Sequence, residues 1–212
     1  MELFFLMYHL KNHLTMKKTI VLLLLFSFSF ISAQRFDIVS GKMSNLKGIT
    51  AFNVTFDYTN LQVEGFETEE AFLTDKMEKR NNIEGKAEKF KKEWFENREN
   101  KYEPKFIESF NKRFENGEIK CEKNRDLKYT MNIKTTWIYP GYNLVEFTQP
   151  AKISATITVV ETANPNNILL IIKFDKSIGL PQGMFDFDEG YRIAGAYEKL
   201  AKNMTMQLKR FL

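Results

Sequence analysis

Histidine is almost missing from this chain. Among 212 residues only His9 and His13 are histidine, and both precede a segment patterned like an export signal. Once that signal is removed, no histidine remains. Ser-His-Asp and Cys-His nucleophilic systems need a nitrogen base that titrates near neutrality, so both classes are excluded. Cysteine is equally scarce. Cys121 stands alone, which excludes an internal disulfide and any zinc site built from His and Cys within one chain. The ten glycines are scattered, with neither GxGxxG nor GxxxxGK[ST], so the Gly-rich phosphate loops of nucleotide enzymes are excluded as well. No stretch rich in Pro, Gly or Ser divides the chain, and no repeat of 20–50 residues is visible.

The amino terminus reads as an address. Met16-Lys17-Lys18 is a short basic start, followed by an apolar run from Ile20 to Ile31. Ile31-Ser32-Ala33 suits signal-peptidase cleavage before Gln34. About a dozen apolar residues fall short of the ~20 that span a bilayer. We therefore expect residues 1–33 to be an upstream extension plus a cleaved signal peptide, with Met16 the natural start. Residues 34–212 should form one domain in an exported, periplasmic or secreted protein. Gln34 stands where a lipoprotein would carry its lipidated Cys. The mature segment would hold 28 basic and 26 acidic residues. That balance argues against nucleic acid or an anionic membrane surface as partner. Its 15 phenylalanines are enough for a core without disulfides.

Periodicity then assigns the elements. Ala51–Tyr58 alternates as a half-buried strand. Residues 68–116 read as helical segments. One opens at Glu69-Glu70, a second runs from Lys86 to Tyr102 with Glu88–Lys92 and Lys89–Glu93 pairs, and a third carries Phe106, Phe110 and Phe114 after a kink at Pro104. Leu127–Tyr139 alternates with Leu127, Tyr129, Met131, Ile133, Thr135, Trp137 and Tyr139 on one face. Pro140-Gly141 marks a type II turn, and Leu144–Phe147 continues extended. Ile153–Val159 is another strand, Asn164-Pro165-Asn166 a turn, and Ile168–Phe174 a central strand covered on both faces. Gly190–Phe211 is a final helix. The order predicts an α+β fold: a two-layer sandwich of a mostly antiparallel sheet, with a helical insert after the first strand and a C-terminal helix. A barrel-like cup with the helices outside is the alternative.

Candidate sites are few. Trp94, Arg98 and Tyr102 lie close together on the second helical run, and Trp137 and Tyr139 end the longest strand; either group suits a partner surface. Packing in the core is the competing assignment for both. Asp186, Asp188 and Glu189 form the densest acidic spot, which suits a helix cap better than a cation loop, since the EF-hand spacing fails. Lys120, Lys123 and Arg125 around Cys121 favour its thiolate, and Glu122 opposes it. No catalytic, cofactor or metal residue is expected.

Phe56-Asp57-Tyr58-Thr59-Asn60-Leu61, Lys92-Glu93-Trp94 through Arg98, Tyr102-Glu103-Pro104-Lys105-Phe106 and Phe110-Asn111 resemble a family of uncharacterised exported envelope proteins of Bacteroidetes-type bacteria. The later strands, with Ala196-Tyr197 and Leu200-Ala201-Lys202-Asn203, resemble small envelope proteins with the α/β fold of the TolB amino-terminal domain and CsgG. The resemblance implies a non-enzymatic envelope protein that binds a protein partner or assembles. Two other classes stay open: a carrier of an apolar small molecule and a carboxylate-based hydrolase. The oligomeric state is open too.

Overall fold

A computed structural model describes residues 35–114, 116–144 and 146–211. His9, His13, Met16 and the expected signal segment lie outside the described residues. The described residues belong to one unit, Gln34–Leu212. Its strands are β1 (Arg35–Gly41), β2 (Ala51–Asp57), β3 (Gln62–Val63), β4 (Lys120–Glu122), β5 (Tyr129–Tyr139), β6 (Tyr142–Asn143), β7 (Thr148–Gln149), β8 (Lys152–Glu161) and β9 (Asn164–Ile178). Its helices are α1 (Glu69–Glu78), α2 (Lys86–Asn97), α3 (Glu103–Lys112) and α4 (Glu189–Lys209). The fold is α+β, with a seven-stranded mixed sheet in the order β1-β9-β8-β5-β2-β4 and β3 beside β5.

The long neighbours β1–β9, β9–β8 and β8–β5 are antiparallel. β2 instead runs parallel to β5 and to β4, and β3 runs parallel to β5. Parallel neighbours cannot be joined by a tight turn, so the chain must cross over one face between them. α1, α2 and α3 lie in that crossover, after three strands rather than one, because β1 and β3 precede them.

Each helix has a local cause. Thr68 caps α1 by accepting from the Ala71 N–H at 3.1 Å, and Glu69 and Glu70 face its positive end. α2 and α3 join through a π turn, Arg98–Tyr102, in which the Glu103 N–H reaches Arg98 O. Pro104 sets that widening. It lacks an N–H, and its ring would crowd the Asn100 carbonyl in a regular α turn. Along α2, Lys89 pairs with Glu93 at 3.8 Å, while Lys92 turns to Glu96 at 3.7 Å rather than to Glu88.

Three strand assignments change in the structure. A bulge between Thr135 and Trp137 flips the phase of β5, so Met131, Ile133, Thr135 and Ile138 face the helices while Trp137 and Tyr139 leave that face. β9 is buried on one face only, through Leu170, Ile172 and Phe174, with Ile168 exposed. The turn before it falls at Thr162-Ala163, and Asn164 already pairs with Glu161.

Between the layers, Phe52 and Val54 of β2, Ile157 of β8 and Ile172 of β9 meet Phe106 and Phe110 of α3 and Ile193, Tyr197, Leu200 and Met204 of α4. Phe106 is fully buried and stands edge-on to Phe56 at 5.8 Å. Phe106→Ala is expected to lower unfolding stability by about 3–5 kcal/mol. A urea midpoint unchanged from wild type would overturn this placement of the crossover on the sheet.

Candidate functional site

The three candidates on the second helical run are not a surface. Trp94 and Tyr102 are buried, which corrects their assignment to a partner face. Their positions follow from a buried carboxylate, Glu69. It accepts the Trp94 indole N–H at 2.6 Å and forms an ion pair with the Arg98 guanidinium. Arg98 lies over the rings of Tyr58, 4.4 Å away, and Phe95, 4.8 Å away. Tyr58 donates to Glu103 Oε1 at 3.4 Å, and Glu103 also pairs with Lys123. Tyr102 stacks on Tyr197 at 5.3 Å, and Tyr197 shares a 2.6 Å hydrogen bond with Thr135. Burial drives the hydroxyls of Tyr58, Tyr102 and Tyr197 well above their ordinary range, so they stay protonated. Both carboxylates in this network are held by cations. The network joins crossover to sheet, with both carboxylates engaged and the buried Tyr102 hydroxyl left without a hydrogen-bond partner among the described residues.

Trp137 and Tyr139 fare differently. The bulge turns both onto the face of the sheet that the helices leave open, where their rings stack at 6.5 Å and remain half-buried. Tyr139 lies within electrostatic reach of Tyr142 and Arg192.

Arg192 builds the feature that sequence reasoning missed. Its side chain is buried, and its guanidinium donates to four carbonyl oxygens: Asp186 at 2.8 Å, Phe187 at 3.0 Å, Pro140 at 3.3 Å and Gly141 at 3.4 Å. The planar fork of five donors is what allows one side chain to tie two loops. One is the Pro140-Gly141 turn with the β6–β7 hairpin. Gly141 takes the expected positive φ, +66°, and a Cβ there would sit 2.4 Å from Gln149 O. The other is the 3₁₀ turn Gly183–Phe187, whose approach follows α4 closely. Leu180 N bonds Gly195 O at 3.1 Å, and a Cβ on Gly195 would meet Leu180 O at 2.3 Å.

The loops so tied expose large apolar side chains. Tyr142, Leu144 and Phe147 come from the hairpin, and Met184, Phe185 and Phe187 from the turn. Met184 is 88% exposed, and Leu144 and Phe147 are each 66% exposed. Leu144 and Phe147 thus belong to a turn, with the Leu144 N–H donating to Phe147 O at 3.0 Å, instead of continuing the strand. Large hydrophobes exposed together on neighbouring loops mark interaction surfaces. The sequence signal was large apolar residues inside a turn-rich stretch, Gly179 to Asp188, which no core assignment had used.

The acidic spot resolves by residue. Asp188 caps α4, accepting from the Tyr191 N–H at 3.1 Å and pairing with Lys101 at 2.9 Å. Burial alone would raise its carboxyl, but Lys101 and the Tyr191 N–H outweigh it and hold it below the ordinary range. Asp186 accepts from the Gln182 N–H at 2.9 Å. Glu189 borders a cavity of about 320 Å³ with Arg80, Trp94 and Lys101. Burial pushes its carboxyl above the ordinary range, against the pull of Arg192, Arg80 and Lys76. Among the described residues no group of three or more His, Cys, Asp or Glu is placed to hold a metal ion. Cys121 is buried in β4, and burial, aided by Glu122, pushes its thiol up to about 12. That outweighs Lys120, so the expected pull toward thiolate is reversed. Among the described residues no helix is long and apolar enough to cross a membrane.

Compared with known proteins, the chain matches no protein-family model, no curated protein and no solved structure.

Arg192→Leu leaves four carbonyl oxygens without their donor. A loss of about 1–3 kcal/mol is expected, with faster chymotryptic cleavage after Phe185 and Phe187 than in wild type. Arg192→Lys should restore charge without the fork and cleave almost as fast. Equal cleavage rates in all three proteins would rule out the clamp. Because the folded Glu189 carboxyl titrates above its unfolded value, its contribution to stability is greatest when protonated and is lost as pH rises through the folded value. Glu189→Gln should therefore gain stability relative to wild type from acid to neutral pH in chemical denaturation. A difference independent of pH would contradict this.

Proposed function

We propose that this chain is an exported cell-envelope protein without enzymatic activity that binds a protein partner, or assembles, through the apolar end tied by Arg192. One observation carries the reading: six large hydrophobic side chains stand exposed on two loops that a buried guanidinium holds side by side. Neither loop contains Lys or Arg, and both carry acids, Glu146 on the hairpin and Asp186 on the turn. An acid-bearing apolar surface suits a protein better than an anionic membrane, which attracts basic segments. Trp137 and Tyr139 lie on the open face of the sheet, where the ammoniums of Lys176 and Lys152 stand 5.3 and 5.4 Å from their rings, so they border this surface rather than share its acidic character. The export pattern at Met16–Ala33, the absence of histidine after it, and the resemblance to exported envelope proteins of the TolB and CsgG type support the same reading.

A carrier of an apolar molecule has less support. Side chains fill the space between the layers, and the apolar-lined cavity beside Arg192 is about 170 Å³, below the ~300 Å³ where ligand pockets begin. The carboxylate hydrolase keeps one favourable observation. Asp188 and Glu189 border one cleft and are pushed in opposite directions, the pattern of an acid and base pair. Asp188, however, is already committed to Lys101 and the helix cap.

A photo-crosslinking residue at Phe147 or Phe185, introduced in the producing cell, should yield a discrete protein adduct. One at Lys173 on the open sheet should not. Adding Leu144→Ser and Phe187→Ser should abolish the adduct. Equal labelling from all three positions, with a monomer in sedimentation, would overturn the proposal. Turnover of aryl glycosides or esters that Glu189→Gln abolishes without unfolding would select the hydrolase.

A further inference from the structure

α3 and the second half of α4 lie side by side in the same direction. Ser109 Oγ donates to Glu198 O at 3.0 Å near one end, and the Lys209 ammonium lies 5.3 Å from the Phe114 ring at the other. Between them opens a cavity of about 410 Å³. Its lining holds five cations, Lys105, Lys112, Arg113, Lys202 and Lys209, against two acids, Glu108 and Glu198. The acids balance them only in part, even with Glu118, which lies outside the lining and within electrostatic reach of Lys209. Glu198 is already shared between Lys105, 3.5 Å away, and the Gln182 amide, 3.0 Å away. Arg113 spends its donors on neutral atoms, Ser109 O at 2.6 Å and the Ser109 hydroxyl. Among the described residues Lys202 makes no ion pair with an acid.

Helix dipoles explain part of this. Lys112, Arg113 and Lys209 sit at carboxyl ends, where cations are favoured. Lys105 follows the π turn that continues α2 into α3, and Lys202 lies before the last turn of α4, so neither is accounted for this way. A neighbouring lysine is affected as well. Burial, together with Lys202 and Arg113, pulls the ammonium of Lys199 below the ordinary lysine range. Like charges are being held together at a cost that a bound anion would remove.

We propose that this groove is a binding site for a compact, phosphate-bearing anion. The cations come from both walls and border one small volume, a density of charge that suits a di- or triphosphate group. A nucleic-acid strand would need a basic track running onward. Here Glu198 interrupts the basic lining of the groove, and the exposed side of α2 mixes Lys with Glu. The near-neutral composition of the whole chain therefore hides a local excess. The site is independent of the apolar end.

The test is calorimetric titration of the full chain with tripolyphosphate and with inorganic phosphate at low salt. Wild type should bind tripolyphosphate with one-to-one stoichiometry, more tightly than phosphate, and its thermal midpoint should rise. Lys112→Glu with Lys202→Glu should weaken binding at least tenfold. This variant relieves repulsion but gives up the favourable position of Lys112 at a helix carboxyl end, so its unliganded midpoint should stay close to that of wild type, which separates lost binding from lost folding. Lys91→Glu with Lys92→Glu on α2 carries the same charge change and should bind like wild type. Absent binding, or equal weakening by the two double variants, overturns the proposal. So does an oligonucleotide that binds more than tenfold tighter than tripolyphosphate. Co-sedimentation with phosphatidylglycerol vesicles that the groove variant loses would assign the phosphate to a lipid headgroup. Tripolyphosphate binding without vesicle binding would assign it to a soluble ligand.

Discussion

The parallel pairing of β2 with β5 constrains the whole molecule. Asp57 ends β2, and Tyr129 must begin its neighbour β5 in the same direction. No hairpin can do this, so the chain from Tyr58 to Lys128 has to cross a face of the sheet. That excursion supplies α1, α2 and α3, leaves the opposite face of the sheet open, and brings β4 back as an edge strand beside β2. Asn111 of α3 secures that edge by exchanging hydrogen bonds with both backbone groups of Cys121, at 2.8 and 2.9 Å. The cost of the excursion is buried backbone and buried charge. Glu69 and Arg98 illustrate the solution: each is held by the other, with Trp94 and Tyr58 completing their surroundings. Removing one partner of such a pair strands a buried charge, whereas the intact pair adds little net stability. The network thus fixes where the crossover sits more than how stable it is.

The sequence exposed most of the local structure because local structure follows periodicity. β2, β5, β8, the three crossover segments and α4 all announced themselves through alternation or a three-and-four rhythm. The other positions depend on effects that local pattern does not carry. A bulge inserts a residue without changing composition, so Trp137 and Tyr139 seemed continuous with Met131 and Ile133 and in fact face the other way. The apolar run at Ile168–Phe174 suggested two covered faces, but only tertiary packing decides coverage, and the helices cover one. Parallel register was illegible because it depends on which distant strand pairs, not on either strand alone. β1 was missed because its short mixed run, RFDIVSG, lacks a clean period.

The candidate sites were legible in a different proportion. Residue type identified aromatic and Arg positions correctly but could not say which would be buried. Trp94 and Arg98 look like an interface pair because interfaces and buried networks use the same large amphipathic side chains. Arg192 gave no signal at all. Its partners are backbone carbonyls, which every residue has, so no spacing rule marks them. The basic groove was hidden for a related reason. Its cations are spread over two helices nearly ninety residues apart, and each helix taken alone mixes both charges.

Both proposed surfaces rest on α4, and that matters for how they behave. Asp188 starts the helix next to the apolar turn, and Lys202 and Lys209 lie along its far half. Along the face between, Ile193, Ala194, Ala196, Tyr197, Leu200, Ala201 and Met204 are buried almost completely. Small residues bring the helix close to its neighbours, to the point that Gly195 has no room for a Cβ. A close-packed interior resists gradual sliding, because moving one helix would open voids along its length. The two ends of α4 are therefore held at a fixed separation rather than linked by a movable element. Such a spine suits a protein that presents two binding surfaces at once better than one that switches between states. The histidine-free, carboxylate-anchored core fits that role, since among the described residues none carries a side chain whose ordinary titration lies near neutral pH.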